Sequence, residues 1–271
     1  QGIVRNAEEV IVGNELRGDI VQREVDHLNW ANDVNALITD DSVHELHVET
    51  DPTQCAFGKW YYSDERTAAE RLVPELAPLL ADIEEPHTHL HESAVSIGES
   101  YVDVDTTLGS FLREKQTNHL AWKGDVAQLL IDPGYAGDDI IIDHTQCSLG
   151  KWLYSDEVAS RRGEDGAFDG AIGPIYDPHE ALHETAADVR ALRDSGDLAE
   201  ARALYNEETS EYAEATLAAI DGLIGWHDGQ LAQLDRAEDI YAQDTKTSLA
   251  GVQSLLGEIV ETAEANIMTD E

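Results

Sequence analysis

Apolar residues recur at three- and four-residue steps through most of this chain, a helical period. "VQREVDHLNWANDVNALI" at 21–38 and "FLREKQTNHLAWKGDVAQLLI" at 111–131 carry the pattern most clearly. "PHTHLHESAVSIGE" from Pro86 and "PHEALHETAADVRAL" from Pro178 open two more helices, with the proline in the first turn. "SGD" at 195–197 interrupts the rhythm, and residues 198–271 then read as one or two long helices. Within them Val252, Leu256, Ile259 and Ala263 follow a 4-3-4 spacing, a packed seam. Residues 1–39 are expected to form its long antiparallel partner. The segments at 40–53 and 132–145 are rich in Asp, Gly and Pro and read as connectors, with "HELHVET" and "DDIIIDHT" as short extended pieces. The predicted fold class is all-α: an elongated helical bundle with two tandem helical-bundle repeats and long terminal helices.

The repeat is visible without a gap. Shifted by 92 residues, 27–92 falls on 119–184, and 24 of the 66 positions are identical. The matches are concentrated in chemically distinctive residues. "QCAFGKWYYSDE" at 54–65 lies on "QCSLGKWLYSDE" at 146–157, and these stretches hold the only two cysteines, Cys55 and Cys147. His27, His87 and His91 lie on His119, His179 and His183, while the other five histidines have no counterpart. The organisation follows: a membrane-proximal helix at 1–22, repeats at 23–98 and 115–190, and C-terminal helices at 195–271.

One Cys and three His form a donor set that suits tetrahedral zinc. Two His stand at i and i+4 on one helix, one comes from a second helix and the Cys from a turn. The candidate ligands are His27, Cys55, His87 and His91, and then His119, Cys147, His179 and His183, giving two Zn2+ per chain. No catalytic residue and no other cofactor is expected. The rival readings are a Cys55–Cys147 disulfide, purely structural zinc, and a hydrolase. For the last, "HEALH" at 179–183 is an HExxH string with Glu180 as the base. The first repeat has Thr88 in its place, and a fourth protein ligand closes the position that catalytic zinc keeps for water.

Charge adds a second layer. There are 56 acidic against 17 basic residues, a net charge of −39, which excludes nucleic acid as a partner because its phosphates would be repelled. Periodic apolar residues argue against disorder, so the reading is a folded, halophilic protein. Both ends run in helical rhythm without capping sequences, as in a piece of a longer chain with membrane helices on either side.

The combination of HxxW, CxxGKW and HxxxH resembles the chemoreceptor zinc-binding (CZB) domain. The resemblance covers about half of the chain and implies zinc at the two four-residue sets named above. It also implies a non-catalytic sensor, in a methyl-accepting chemotaxis receptor; the alternative is the sensor domain of a diguanylate cyclase or histidine kinase with purely structural zinc. The long terminal helices resemble the extracytoplasmic (periplasmic) sensor region of an inner-membrane receptor. Such a receptor is a membrane-anchored homodimer with a cytoplasmic signalling domain in the same chain. An oxidant, zinc itself or a small molecule would be the stimulus.

The charge reading makes a direct prediction. The Debye length falls to about 3 Å at 1 M salt, which screens the self-repulsion. Thermal unfolding should therefore shift to higher temperature between millimolar and molar salt, and an unchanged midpoint would refute it.

Overall fold

The computed structural model describes residues 2–40 and 42–267; Gln1, Asp41 and the last four residues of the C-terminal reading lie outside the described residues. Among the described residues there are helices and connectors but no strand, so the all-α expectation holds. The chain divides into two units. The first runs to Asp103 and resumes at Ala232; the second is Val104–Leu231.

In the first unit, α1 (Gly2–Thr39) is followed by three short helices, α2 (Ala56–Tyr61), α3 (Asp64–Leu72) and α4 (Leu76–Asp82), and then by α5 (Glu84–Ser100). The second unit repeats this order. It has α6 (Leu108–Ile131), α7 (Ser148–Leu153), α8 (Asp156–Glu164), α9 (Gly166–Ile172), a 3-10 turn (Gly173–Ile175) and α10 (Tyr176–Ser195). The prolines sit where expected, at the third position of α5 and of α10. Gly196, at φ +95°, ends α10 in the left-handed region that glycine tolerates best.

The repeated Ser-Asp-Glu now has a reason. Ser63 caps α3, its hydroxyl accepting the Glu65 N–H, and Ser155 caps α8 by accepting from Val158 N–H. The two acidic residues that follow each serine lie in the first turn, where the helix dipole favours negative charge.

The C-terminal segment is α11 (Leu198–Leu204), α12 (Ser210–Ile240) and α13 (Lys246–Ile267), joined by two π turns, Tyr205–Thr209 and Tyr241–Thr245, rather than by coil. Side-chain periodicity does not announce such turns, because each inserts only one residue's worth of slack. In the first unit α13 packs on α1. Tyr241 Oη donates to Ala31 O, Gln253 pairs with Glu24, and Arg17 with Glu264. One index rises as the other falls, so the two helices are antiparallel, as expected from the sequence. Val252, Leu256, Ile259 and Ala263 are all buried in this seam with Leu16, Ile20 and Leu90. In the second unit the core is Leu112, Leu149, Phe168, Ile172 and Ile175 against Ile220 and Leu223 of α12. Another cluster there joins Val126, Leu129 and Val189 to Ala201 of α11.

Among the described residues the connectors contain no strand. "HELHVET" and "DDIIIDHT" are irregular, held by side-chain turns in which Asp51 accepts from Thr53 and Asp143 from Thr145. Among the described residues no helix is long and apolar enough to cross a membrane.

Ile259 has no exposed surface in the α1–α13 seam. Ile259→Ala should cost about 2–5 kcal/mol of stability, read from denaturant unfolding of the zinc-loaded chain.

Candidate metal centres

Each centre is assembled from a long helix, a capped turn and a His-bearing helix. His27 lies on α1, Cys55 is the N-cap of α2, and His87 and His91 are one turn apart on α5. In the second unit the same places are held by His119 on α6, Cys147 at the start of α7, and His179 and His183 on α10. Within each set one ligand-type atom of every residue lies within 4.8 Å of the others. Cys55 Sγ is 3.3 Å from His87 Nε2; Cys147 Sγ is 3.3 Å from His179 Nε2 and 3.9 Å from His119 Nε2.

The turn explains CxxG. Gly58 N–H donates to Cys55 Sγ at 3.1 Å, and Gly150 N–H to Cys147 Sγ at the same distance. A Cβ on Gly58 would stand 1.8 Å from Pro52 O, and one on Gly150 would stand 1.7 Å from His144 O. Only glycine lets the backbone pass that close while the cysteine stays aimed inward.

All six repeated histidines are buried, whereas His44, His47 and His89 are exposed. His227 is buried too, but its Nε2 donates to Asp105 O and it packs against Gly109, so it is a structural histidine of the second unit. Burial holds the six repeated imidazoles below their ordinary pKa, with His87 and His179 brought to about 3 and His183 to about 4. They are neutral at pH 7 and carry free lone pairs. Burial pushes both thiols up, opposed by the turn N–H groups of Gly58 and Phe57 and of Gly150 and Leu149.

The imidazole orientations decide what the centres accept. His27 Nδ1–H donates to Arg23 O at 2.7 Å and His119 Nδ1–H to Lys115 O at 2.7 Å, each four residues back on its own helix. His91 Nδ1–H donates to Glu49 O and His183 Nδ1–H to Ile141 O, both on the connectors. Their Nε2 atoms are thereby turned inward. Those of His27, His91 and His183 are fully buried with no hydrogen-bond partner. Buried polar atoms are rarely left unpaired, and imidazoles anchored through one nitrogen with the other directed at a thiol are the usual arrangement of zinc ligands. In a tetrahedral zinc site neighbouring donor atoms are ~3.4–3.6 Å apart, given the usual Zn–N and Zn–S lengths. The observed spread approaches this with small side-chain adjustments. The residues therefore fit zinc, which would deprotonate the cysteine and take the lone pairs of the three neutral imidazoles.

The family is decided by matches over residues 27–97 and 119–190 to the model of the chemoreceptor zinc-binding domain, more than half of the chain. The chain belongs to the CZB family. It carries two CZB domains in tandem, and the two His/Cys/His/His groups fit two Zn2+ per chain. No curated protein and no solved structure matches it.

The first tryptophan of each CZB domain is packed beside the last histidine, Trp30 on His91 and Trp122 on His183. The structure gives them a second role. Trp30 Nε1–H donates to Glu49 O at 2.8 Å, the same carbonyl that accepts His91 Nδ1–H. Trp122 Nε1–H donates to Ile141 O, shared with His183. One connector carbonyl thus fixes an indole and an imidazole in each domain. The 92-residue register contained this signal only as a matched Trp, because the accepting residues, Glu49 and Ile141, differ in type and act through the backbone.

Glu180 is exposed, with its carboxylate 4.0 Å from His144 Nε2, and it is not among the four clustered groups. Both cysteines are free thiols, each with its own histidines, so the disulfide reading is not what the structure shows. A cavity of about 250 Å³ in the second unit reaches His119, Cys147 and His183 past Trp122 and Ile141.

Trp30→Phe keeps the ring and removes the indole donor. Zinc affinity at the first centre should fall about 10- to 100-fold, the usual cost of losing a group that orients a ligand, with the second centre unchanged. Competition with a chromophoric chelator resolves the two.

Proposed function

We propose that this tandem CZB chain is a non-catalytic sensor region of a chemoreceptor, in which each zinc centre sets the packing of the C-terminal helix. The observation that carries this reading is the docking of the two π turns. Tyr241 Oη donates to Ala31 O, four residues past His27, and Thr245 Oγ1 meets Ser93 Oγ at 2.8 Å, two residues past His91. In the second unit Tyr205 Oη donates to Lys123 O, four residues past His119, and its turn packs on α10, which carries His179 and His183. In each domain, therefore, one π turn meets both elements that supply histidines. A π turn holds one extra residue that can be absorbed or moved along a helix, a ready means of shifting register.

In this reading His27, Cys55, His87 and His91 hold one zinc, and His119, Cys147, His179 and His183 the other. Zinc supplies a cross-link between helices. The chain's own part is to orient the imidazoles, to keep them neutral, and to pass any change in their packing to the Tyr and Thr of the π turn. The stimulus class that the geometry favours is an oxidant or a metal chelator, because the cavity beside Cys147 admits a small molecule to a zinc-binding thiol. Placement outside the cytoplasm, a homodimer and a cytoplasmic signalling domain belong to the same proposal. The antiparallel α1–α13 pair supports it as the kind of helix pair that would lead to such a membrane segment.

Zinc content and hydrogen exchange measured before and after mild oxidation test the relay. Zinc loss should be accompanied by faster exchange at 241–245, and Tyr241→Phe should separate the two at the first centre. Unchanged zinc occupancy would refute oxidant sensing. Cys55→Ser and Cys147→Ser variants that unfold on metal loss yet respond normally to oxidant would instead make zinc purely structural.

A further inference from the structure

The two domains differ on the first long helix beside the zinc centre. In the second unit Phe111 lays its ring against Trp152, with centroids 5.2 Å apart, and Lys115 Nζ stands 4.5 Å from the centre of the Phe111 ring. Phe111 thus touches both the indole, at an interplanar angle of 55°, and the cation. The 92-residue register places Asp19 at the Phe111 position, Arg23 at Lys115 and Trp60 at Trp152. The structural correspondence extends this far upstream, because Arg23 O and Lys115 O accept from His27 and His119 in the same way, and Ile20 and Leu112 are both buried. In the first unit the indole and the cation are therefore kept, while the ring they would hold is missing.

A cavity of about 370 Å³ lies there, lined by Asp19, Ile20, Arg23, Lys59, Trp60 and Glu65 among others. Its volume is within the ~300–1,000 Å³ range of small-ligand pockets. Arg23 is held in place by its Nε–H donating to Asp19 O and by its ion pair with Asp26 at 3.0 Å, so the cavity wall is largely set before any ligand arrives. Two of only 17 basic residues in a chain of net charge −39 meet at this spot, together with two carboxylates.

We propose that this cavity binds a free aromatic amino acid, whose ring takes the place against Trp60 that Phe111 takes against Trp152. The charges select the zwitterion. Arg23 and Lys59 suit its carboxylate, Asp19 and Glu65 suit its ammonium group, and a molecule of zero net charge is not repelled by the acidic surface as an anion would be. The site is separate from the zinc ligands. It shares α1 and α2 with the first centre, and the second domain lacks it because Phe111 occupies the equivalent place. The inference stands whether or not the zinc centres are sensory.

Calorimetric titration of the zinc-loaded 271-residue chain with L-phenylalanine should show one saturable site. Phenylacetate and phenethylamine, which each lack one charge, should bind at least about tenfold more weakly. Asp19→Phe, which plugs the cavity as the second domain does, and the surface change Lys59→Gln should each weaken phenylalanine at least about tenfold while two zinc ions are retained. Absence of saturable binding by about 10 mM phenylalanine would overturn the proposal. So would undiminished affinity in either variant that keeps both zinc ions, or equal binding of phenylacetate.

Discussion

The gathering of six buried, neutral imidazoles with one half-buried and one buried thiol into two compact clusters is the constraint on which the structure depends. Leaving inward nitrogens buried without partners is unfavourable by amounts comparable to a lost hydrogen bond or more. Among the described residues His27, His91 and His183 each leave Nε2 in that state at a centre, and His179 and His227 leave Nδ1 so. A cation with a preference for nitrogen and sulfur reverses the sign of that term, and the CZB family is one that binds zinc. Much else in each domain serves this arrangement. The Asx turn and the glycine bring the cysteine in, and the connector carbonyl and the tryptophan hold the last histidine.

The carbonyls of Glu49 and Ile141 are central to that support. Each accepts from an indole on the first long helix and an imidazole on the third element. The connector is thus fastened to both helices at one atom. This also accounts for the absence of a strand there: the backbone is committed to side-chain donors rather than to a neighbouring chain. The π turns extend the same logic outward, since Tyr241 and Tyr205 reach backbone carbonyls four residues past the first histidine of each domain.

Tandem duplication often leaves one copy free to change, and the differences here are chemical. His144 replaces Pro52 beside the second centre, within 6.2 Å of the His179 ring. Phe111 replaces Asp19 beside the first-helix cation. The metal ligands and their supports are the same in both domains, while the surroundings diverge. That pattern fits a common metal-held frame carrying two different peripheries.

The sequence alone determined the helical class, the repeat and the two donor sets, because each depends on local spacing. A 3.6-residue period, an i, i+4 histidine pair and a 92-residue register can all be counted along a chain. It also marked the α1–α13 seam, since Val252 to Ala263 keep coiled-coil spacing. The tertiary structure decided what spacing does not encode. Backbone acceptors such as Glu49 O carry no side-chain signature, so the second role of Trp30 could not be read. The π turns change the helix by one residue without a breaker, so the places of Tyr241 and Thr245 had no signal in the spacing. The cavity at Asp19 exists because a ring is absent, and an absence becomes visible only when two folded copies can be laid side by side.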